Sequence, residues 1–261
     1  MRVAAIGDNC FDIYPKIGRN YPTGNAVDFA VHMQRLGIPA SIISYTGNDR
    51  YGKLMADSLR FEGVDISHLH IVKGRTALTY MDMNGTDRIH GEYLEGVLEN
   101  MIFTDEDIGF AGKHDLVHTA LWGKAEHSLK KIKSQGAKIS FDYATKLNNT
   151  LLEKTLPYVD YAFFSCTESR SAPIEEYLID TVREGPQLAV ATFGSEGSLA
   201  FDGREFFEFG VFEGKVVNTV GAGDSFIAGF MYGILNDYPI GKCLENGARI
   251  ASNVIGLFEP W

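Results

Sequence analysis

The sequence is poor in cysteine, and its three cysteines (Cys10, Cys166 and Cys243) are scattered without a CxxC pair. That spacing argues against a disulfide framework or a cysteine zinc site and fits a reducing, cytoplasmic compartment. Long apolar runs are missing too. No segment approaches the ~18 consecutive apolar residues of a membrane span, and the stretch Val3 to Ile6 is too short for a secretory signal. Positive charge is in deficit: 24 lysines and arginines face 34 aspartates and glutamates, a formal charge of −10. With no basic run to offset it, neither nucleic acid nor a membrane surface is an expected partner. Two nucleotide motifs are absent as well. There is no GxxxxGK[ST] P-loop, and no GxGxxG fingerprint at the first apolar run.

What remains is an ordinary globular composition, 45% hydrophobic and 22% charged over 261 residues, enough to bury a sizeable core. Short apolar runs at Val3–Ile6, Ile42–Tyr45, Leu116–His118, Ile139–Phe141, Tyr161–Phe164 and Leu188–Thr192 read as buried strands. Amphipathic segments at Ala26–Leu36, Gly52–Phe61, Glu126–Gln135, Leu151–Leu156 and Glu175–Glu184 read as helices between them. The alternation predicts βαβ units: an α/β sandwich of three layers, with a mostly parallel sheet between two layers of helices. Two stretches break the rhythm, Phe11–Tyr21 and Ile71–Leu94, which are polar, alternating and aromatic, with a turn signal at Asn84-Gly85. They predict strands outside the main sheet. Asp202-Gly203 marks another hairpin, and the last third returns to helix over Asp224–Leu235 and Ile240–Ile255. Without a linker or repeat, the expectation is one domain over residues 1–261, carrying a discontinuous β lid from about 11–21 and 71–98.

Three segments carry candidate chemistry. In Asn218-Thr219-Val220-Gly221-Ala222-Gly223-Asp224, two glycines precede an apolar helix. Such a turn can point several N–H groups at a phosphate, at the positive end of the helix dipole. Asp224 can then accept a proton from an attacking hydroxyl or simply cap the helix, and these residues alone do not choose. In Thr192-Phe193-Gly194-Ser195-Glu196-Gly197, two glycines follow a strand, which suits either a nucleotide phosphate or a plain turn. In Gly7-Asp8-Asn9-Cys10-Phe11-Asp12 and Thr23-Gly24-Asn25-Ala26, Asp12 stands after the first strand, where open α/β sheets bind ligands. A carboxylate there can accept from two vicinal hydroxyls, or be a solvated loop acid. His114, His118 and His127 are too loosely spaced for a metal site and read as structural.

The order of these segments along the βαβ pattern resembles the ribokinase, or phosphofructokinase B-type, family of carbohydrate kinases, and the resemblance covers essentially the whole chain. It implies a ribokinase-like fold with a small β-strand lid and phosphoryl transfer from ATP with Mg²⁺. By resemblance Asp224 is the catalytic base and Gly221, Ala222 and Gly223 form the anion hole. Asp12, Gly24, Asn25 and Asp28 correspond to sugar-binding positions, and Thr192, Gly194, Gly197 and Asn253 to nucleotide-binding ones.

Within the family, the segments Gly7–Pro15, Asp87–Val97 and His118–Gly123, with Trp261, resemble kinases that phosphorylate the 6-hydroxyl of an Amadori sugar-amine. Glu92 is added to the substrate set on that basis, with Trp122 and Tyr93 able to cover an apolar sugar face or amine stem, although Trp122 reads equally as core. Arg88 joins the substrate set as a binder of phosphate or a substrate carboxylate, or is an ordinary surface arginine on a hairpin. The same fold also serves kinases of other ketoses, ribose or nucleosides, and non-catalytic sensors. The chain departs from the family at Thr23 (usually Gly), at Asp28 (usually Asn) and at Ser165-Cys166-Thr167-Glu168 (usually Asn-x-x-Glu), where Glu168 is left to order water around Mg²⁺. Asn218 replaces an Asp that helps hold a monovalent cation, so potassium is not implied. A homodimer through the lid is expected by resemblance.

Overall fold

Every residue of Val3–Ile6 is buried, and the alternation of their side chains decides the architecture. Val3 and Ala5 join one apolar cluster, whereas Ala4 and Ile6 join a second on the other face. A strand buried on both faces needs a helical layer on each side. The computed structural model describes residues 1–84 and 87–261 and has that arrangement. In chain order the elements are β1 (Val3–Ile6), β2 (Cys10–Tyr14), β3 (Arg19–Thr23), α1 (Asn25–Arg35), β4 (Ala40–Gly47), α2 (Arg50–Phe61), β5 (Asp65–Val72), β6 (Leu78–Asn84) and β7 (Asp87–Leu94). There follow α3 (Asp105–Ala111), β8 (Leu116–Ala120), α4 (Leu129–Ser134), β9 (Lys138–Asp142), α5 (Leu152–Thr155), β10 (Tyr161–Ser165), α6 (Ala172–Arg183), β11 (Leu188–Thr192), β12 (Ser198–Phe201), β13 (Phe206–Phe209), α7 (Ala222–Leu235) and α8 (Ile240–Ile255).

The large sheet has nine strands in the order β13-β12-β11-β10-β9-β8-β1-β4-β5. It is parallel from β11 to β5, with an antiparallel hairpin, β12–β13, at one edge. Residues of α1, α2, α7 and α8 cover one face and residues of α3, α4 and α6 the other. The small sheet, ordered β3-β2-β6-β7, consists of two antiparallel hairpins joined by a parallel β2–β6 pair. A third apolar cluster, Tyr14, Tyr21, Met81 and Val220, anchors it beside the start of α7.

The expected α/β sandwich with a small β sheet is present, and two differences have simple causes. The irregular stretch was expected to leave the main sheet at Ile71, but Ile71 and Val72 close β5, the edge strand of the large sheet. Its exposed, histidine-bearing sequence lacks the apolar run of a central strand. The segment Glu126–Gln135, expected to be one helix, is helical only over Leu129–Ser134, and Ser128 precedes it without a side-chain cap. The Asn84-Gly85 turn signal falls partly outside the described residues. Among the described residues no helix is long and apolar enough to cross a membrane.

Candidate active site

Two helix starts meet at the carboxyl ends of the parallel strands. Gly24 precedes α1 at φ 130°, and a Cβ there would lie 2.7 Å from the Asn9 Cα. Gly221 precedes α7 in the left-handed region at φ 69°, with Pro260 packed where its Cβ would be. These turns bring the first residue of α1, Asn25, against Asp224 in the first turn of α7. Asn25 Nδ2 donates to Asp224 Oδ1 at 2.8 Å and approaches Asp142 Oδ2 at 3.5 Å, while the Asn25 backbone N–H donates to Asp8 Oδ2 at 3.2 Å.

Asp8 stands two residues after β1 and Asp142 ends β9, so both arrive from strand ends. The result is a group of acids in poor contact with water. Burial, then the charge of Asp142, pushes Asp224 up to about 7, with the Asn25 hydrogen bond opposing. Burial also raises Asp142 to about 6, against a hydrogen bond from the Ala144 N–H, and raises Asp8. Asp12 is raised to about 6 by burial and held back by Arg88, which also lowers Asp224. Among the described residues, Asp8 Oδ1 and Asn9 Oδ1 are buried without a hydrogen-bond partner. Asn9 Nδ2, by contrast, is committed to Ser44 Oγ and the Tyr45 carbonyl.

A cavity of about 550 Å³ opens beside this group. Thr192, Gly194 and Gly197 line it from the end of β11, Ala222 and Gly223 from the start of α7, and Ala248, Ala251, Ser252 and Ile255 from one face of α8. It therefore runs from the glycine turn to the residues just before Asp224.

The structure thus brings Asp12, Asn25, Arg88 and Asp224 together, and it sets Thr192, Gly194, Gly197, Ala222 and Gly223 around one cavity. It treats others differently. Asp12 lies within β2 of the small sheet, and Asp8 takes the place after the first strand. Asp28 is 1% exposed, and both its oxygens accept bonds from protein groups, Thr23 Oγ1 and Trp261 Nε1, each at 2.8 Å. It supports the site from behind, with burial and the Asp224 charge holding its carboxyl well above the usual range.

Asn253 is exposed and lies off the periodic face of α8 that lines the cavity. Glu92 is also exposed, whereas the neighbouring Tyr93 hydroxyl is pushed up by burial and then by the nearby Cys10 and Asp8. Glu168 is exposed in the loop after β10, beyond Ser165 and Cys166, which line the cavity. Asp8 and Asp142 went unassigned in the sequence, although each stands at the end of an apolar run, the signal given to Asp12.

A family model, the pfkB family carbohydrate kinase, matches residues 12–259. Fructoselysine 6-kinase of Shigella flexneri is 35% identical over 259 residues, covering 99% of both chains. Fructosamine kinase of Bacillus subtilis is 30% identical, covering 99% of this chain and 92% of its own. A ribokinase from Arabidopsis thaliana, solved with ribose and ATP, superposes with a TM-score of 0.88 at 19% identity, covering 99% of this chain and 93% of that one.

Proposed function

Since this chain belongs to the pfkB family of carbohydrate kinases and is an ATP-dependent kinase with an alcohol acceptor, we propose that it phosphorylates the 6-hydroxyl of fructoselysine, giving fructoselysine 6-phosphate and ADP. The observation that carries the substrate is the charge of the site. Asp8, Asp142 and Asp224 raise one another's titration or share Asn25, and Arg88 offsets charge at Asp12 and Asp224 only. The hydroxyls of a neutral sugar can donate to these carboxylates but leave their charge uncompensated, whereas a sugar bearing an amine also supplies positive charge and a donor for Asp8 Oδ1. The names of the 30–35% identical relatives point the same way.

In this reading Asp224 takes the proton of the attacking hydroxyl. Asn25 holds its carboxylate in place, and the amides of Gly221 to Asp224 face the transferred phosphoryl group. Asp12, Gly24 and Asn25 orient the sugar, and Arg88 meets either phosphate or the amino-acid carboxylate of the substrate. The cavity suits ATP, since Gly194, Gly197, Ala222 and Gly223 leave room for phosphates at the glycine turn and the start of α7, while Phe212, Phe226 and Ile255 offer apolar walls for a base. Among the described residues the exposed Glu168 carboxylate accepts no hydrogen bond, and two residues after cavity-lining Cys166 it offers the hard oxygen that suits Mg²⁺ through water; Mg²⁺, when bound, neutralises phosphate charge. The small sheet acts as a lid on the same single domain. Exposed Tyr80 and Ile89 on that sheet, with Ile17 in its β2–β3 turn, suit pairing with a second copy, in a cytoplasmic homodimer.

The test is a substrate panel read by ADP release. Fructoselysine should have the highest kcat/KM, ahead of fructose, ribose and adenosine. Faster turnover of any neutral sugar or nucleoside sinks the substrate assignment while leaving the kinase intact.

A further inference from the structure

On the far edge of the large sheet, β5 carries His68 and His70 two residues apart, so both rings project from the same face of the strand. They converge on one oxygen. His68 Nδ1 lies 2.8 Å and His70 Nε2 2.9 Å from Asp107 Oδ1, and the three ligand atoms all lie within 4.8 Å of one another. None of these residues lines the cavity or belongs to the acids around Asp224.

The surroundings hold each group in place. The Asp107 carboxylate is 1% exposed, and its other oxygen accepts from the Thr104 backbone N–H at 2.9 Å and from Thr104 Oγ1 at 2.7 Å, in the capping box of α3. His68 stacks on Phe110 with centroids 3.9 Å apart, and His70 packs on Tyr45 at 4.5 Å. Oriented ligands supported by outer hydrogen bonds are what a metal site requires beyond the ligands themselves. The His70 side chain remains 33% exposed, so a further coordination position faces water.

We propose that His68, His70 and Asp107 form a transition-metal site that takes Zn²⁺ with water as the fourth ligand. Two imidazoles and one carboxylate select for ions of the zinc, cobalt and nickel kind over Mg²⁺ or Ca²⁺, which prefer all-oxygen shells. With metal–ligand bonds of about 2.0–2.2 Å, tetrahedral donors stand roughly 3.3 Å apart. Each N···O separation therefore opens by about half an ångström on binding, a side-chain adjustment. The proton that each ring now directs at Asp107 moves to its other nitrogen, Nε2 of His68 and Nδ1 of His70, freeing the facing lone pair for the metal. The bound ion fastens α3 to the edge strand and takes no part in phosphoryl transfer.

Untagged protein, stripped with chelator and titrated with Co²⁺, tests the site. Wild type should develop visible tetrahedral absorption saturating at one equivalent, and Zn²⁺ in hundredfold excess over Kd should raise the Tm by roughly 5 °C or more. His70→Ala, at the most exposed ligand, should lose both responses while keeping the metal-free Tm and kinase activity. His68→Gln provides a second variant that leaves the Asp107 cap in place. No cobalt spectrum in wild type, or the same uptake in wild type and both variants, overturns the proposal.

Discussion

Trp261 Nε1 donates a 2.8 Å hydrogen bond to Asp28 Oδ1, joining residues 233 apart in sequence directly behind the proposed sugar site. The bond is the last of a series along the final residues. Asn218 donates to the Phe258 carbonyl at 2.8 Å, Arg19 pairs with Glu259 at 2.8 Å, and His32 Nε2 lies 2.9 Å from the Pro260 carbonyl. This segment touches the small sheet, the α7 turn and α1 at once, so a change in it reaches all three.

Trp261→Phe keeps an aromatic ring but removes the indole N–H, leaving Asp28 Oδ1 unpaired at a position 1% exposed. An orphaned buried acceptor costs about 1–3 kcal/mol, so the Tm should fall by at least about 2 °C. Because α1 also carries Asn25, the sugar KM should rise several-fold with the ATP KM unchanged. Steady-state kinetics in both substrates beside a melting curve check this. Equal changes in both KM values would mean that the tail acts on the whole fold.

Asp224→Asn removes the proposed proton acceptor while an amide oxygen can still accept from Asn25. The kcat should fall by roughly 10²–10⁴-fold with sugar binding retained. The same variant should gain stability. In the wild type the folded carboxyl titrates near 7, above its ordinary value of 3.8, so the native state holds a proton that the unfolded chain has released. Stability is therefore lost as pH rises from about 4 through about 7. The Asn variant lacks this term and should melt higher than wild type at pH 8. A lower Tm there, or unchanged kcat, would remove Asp224 from the proposed role.

The same titration sets the rate. Only the deprotonated acid accepts a proton, so kcat/KM should climb through about pH 7 and level off above it. Arg88 favours the charged form of both Asp224 and Asp12. Arg88→Ala should consequently shift the acid limb to higher pH, in addition to any loss of affinity. A limb that stays in place would separate Arg88 from these carboxylates.

The strands were legible because a strand buried on both faces must be apolar throughout, and Leu188–Thr192 and Val3–Ile6 have the predicted bounds. Edge strand β5 was not, since one side is solvated and its histidines follow no apolar pattern. At the site, Gly221 and Asp224 stood out because a glycine turn before an apolar helix is a local signal. Asp142 did not, because its importance comes from Asn25 and Asp224, 117 and 82 residues away in the chain (142 − 25; 224 − 142), and from burial that only the assembled sheet supplies. Asp28 was read as facing the sugar because its hydroxyl and indole donors lie on other segments.

Gly221 and Gly223 stand two residues apart in the same turn, and alanine should affect them in opposite ways. Gly221 has φ 69°, and a Cβ there would lie 2.6 Å from the Pro260 Cβ, so Gly221→Ala meets both backbone strain and a clash. It should lower the Tm by several degrees and reduce activity through loss of folded geometry. Gly223 is helical, exposed and lines the cavity, and a Cβ there meets nothing within 4 Å. In the protein alone Gly223→Ala costs nothing sterically, and helix propensity favours it by up to about 1 kcal/mol. If the amides of this turn face the phosphoryl group, the added methyl intrudes only when nucleotide is bound. The expected result is an unchanged or higher Tm with an ATP KM raised about tenfold and sugar binding unaffected. Wild-type ATP kinetics in Gly223→Ala would place the phosphates elsewhere in the cavity, and with them the anion-binding role given to this helix start.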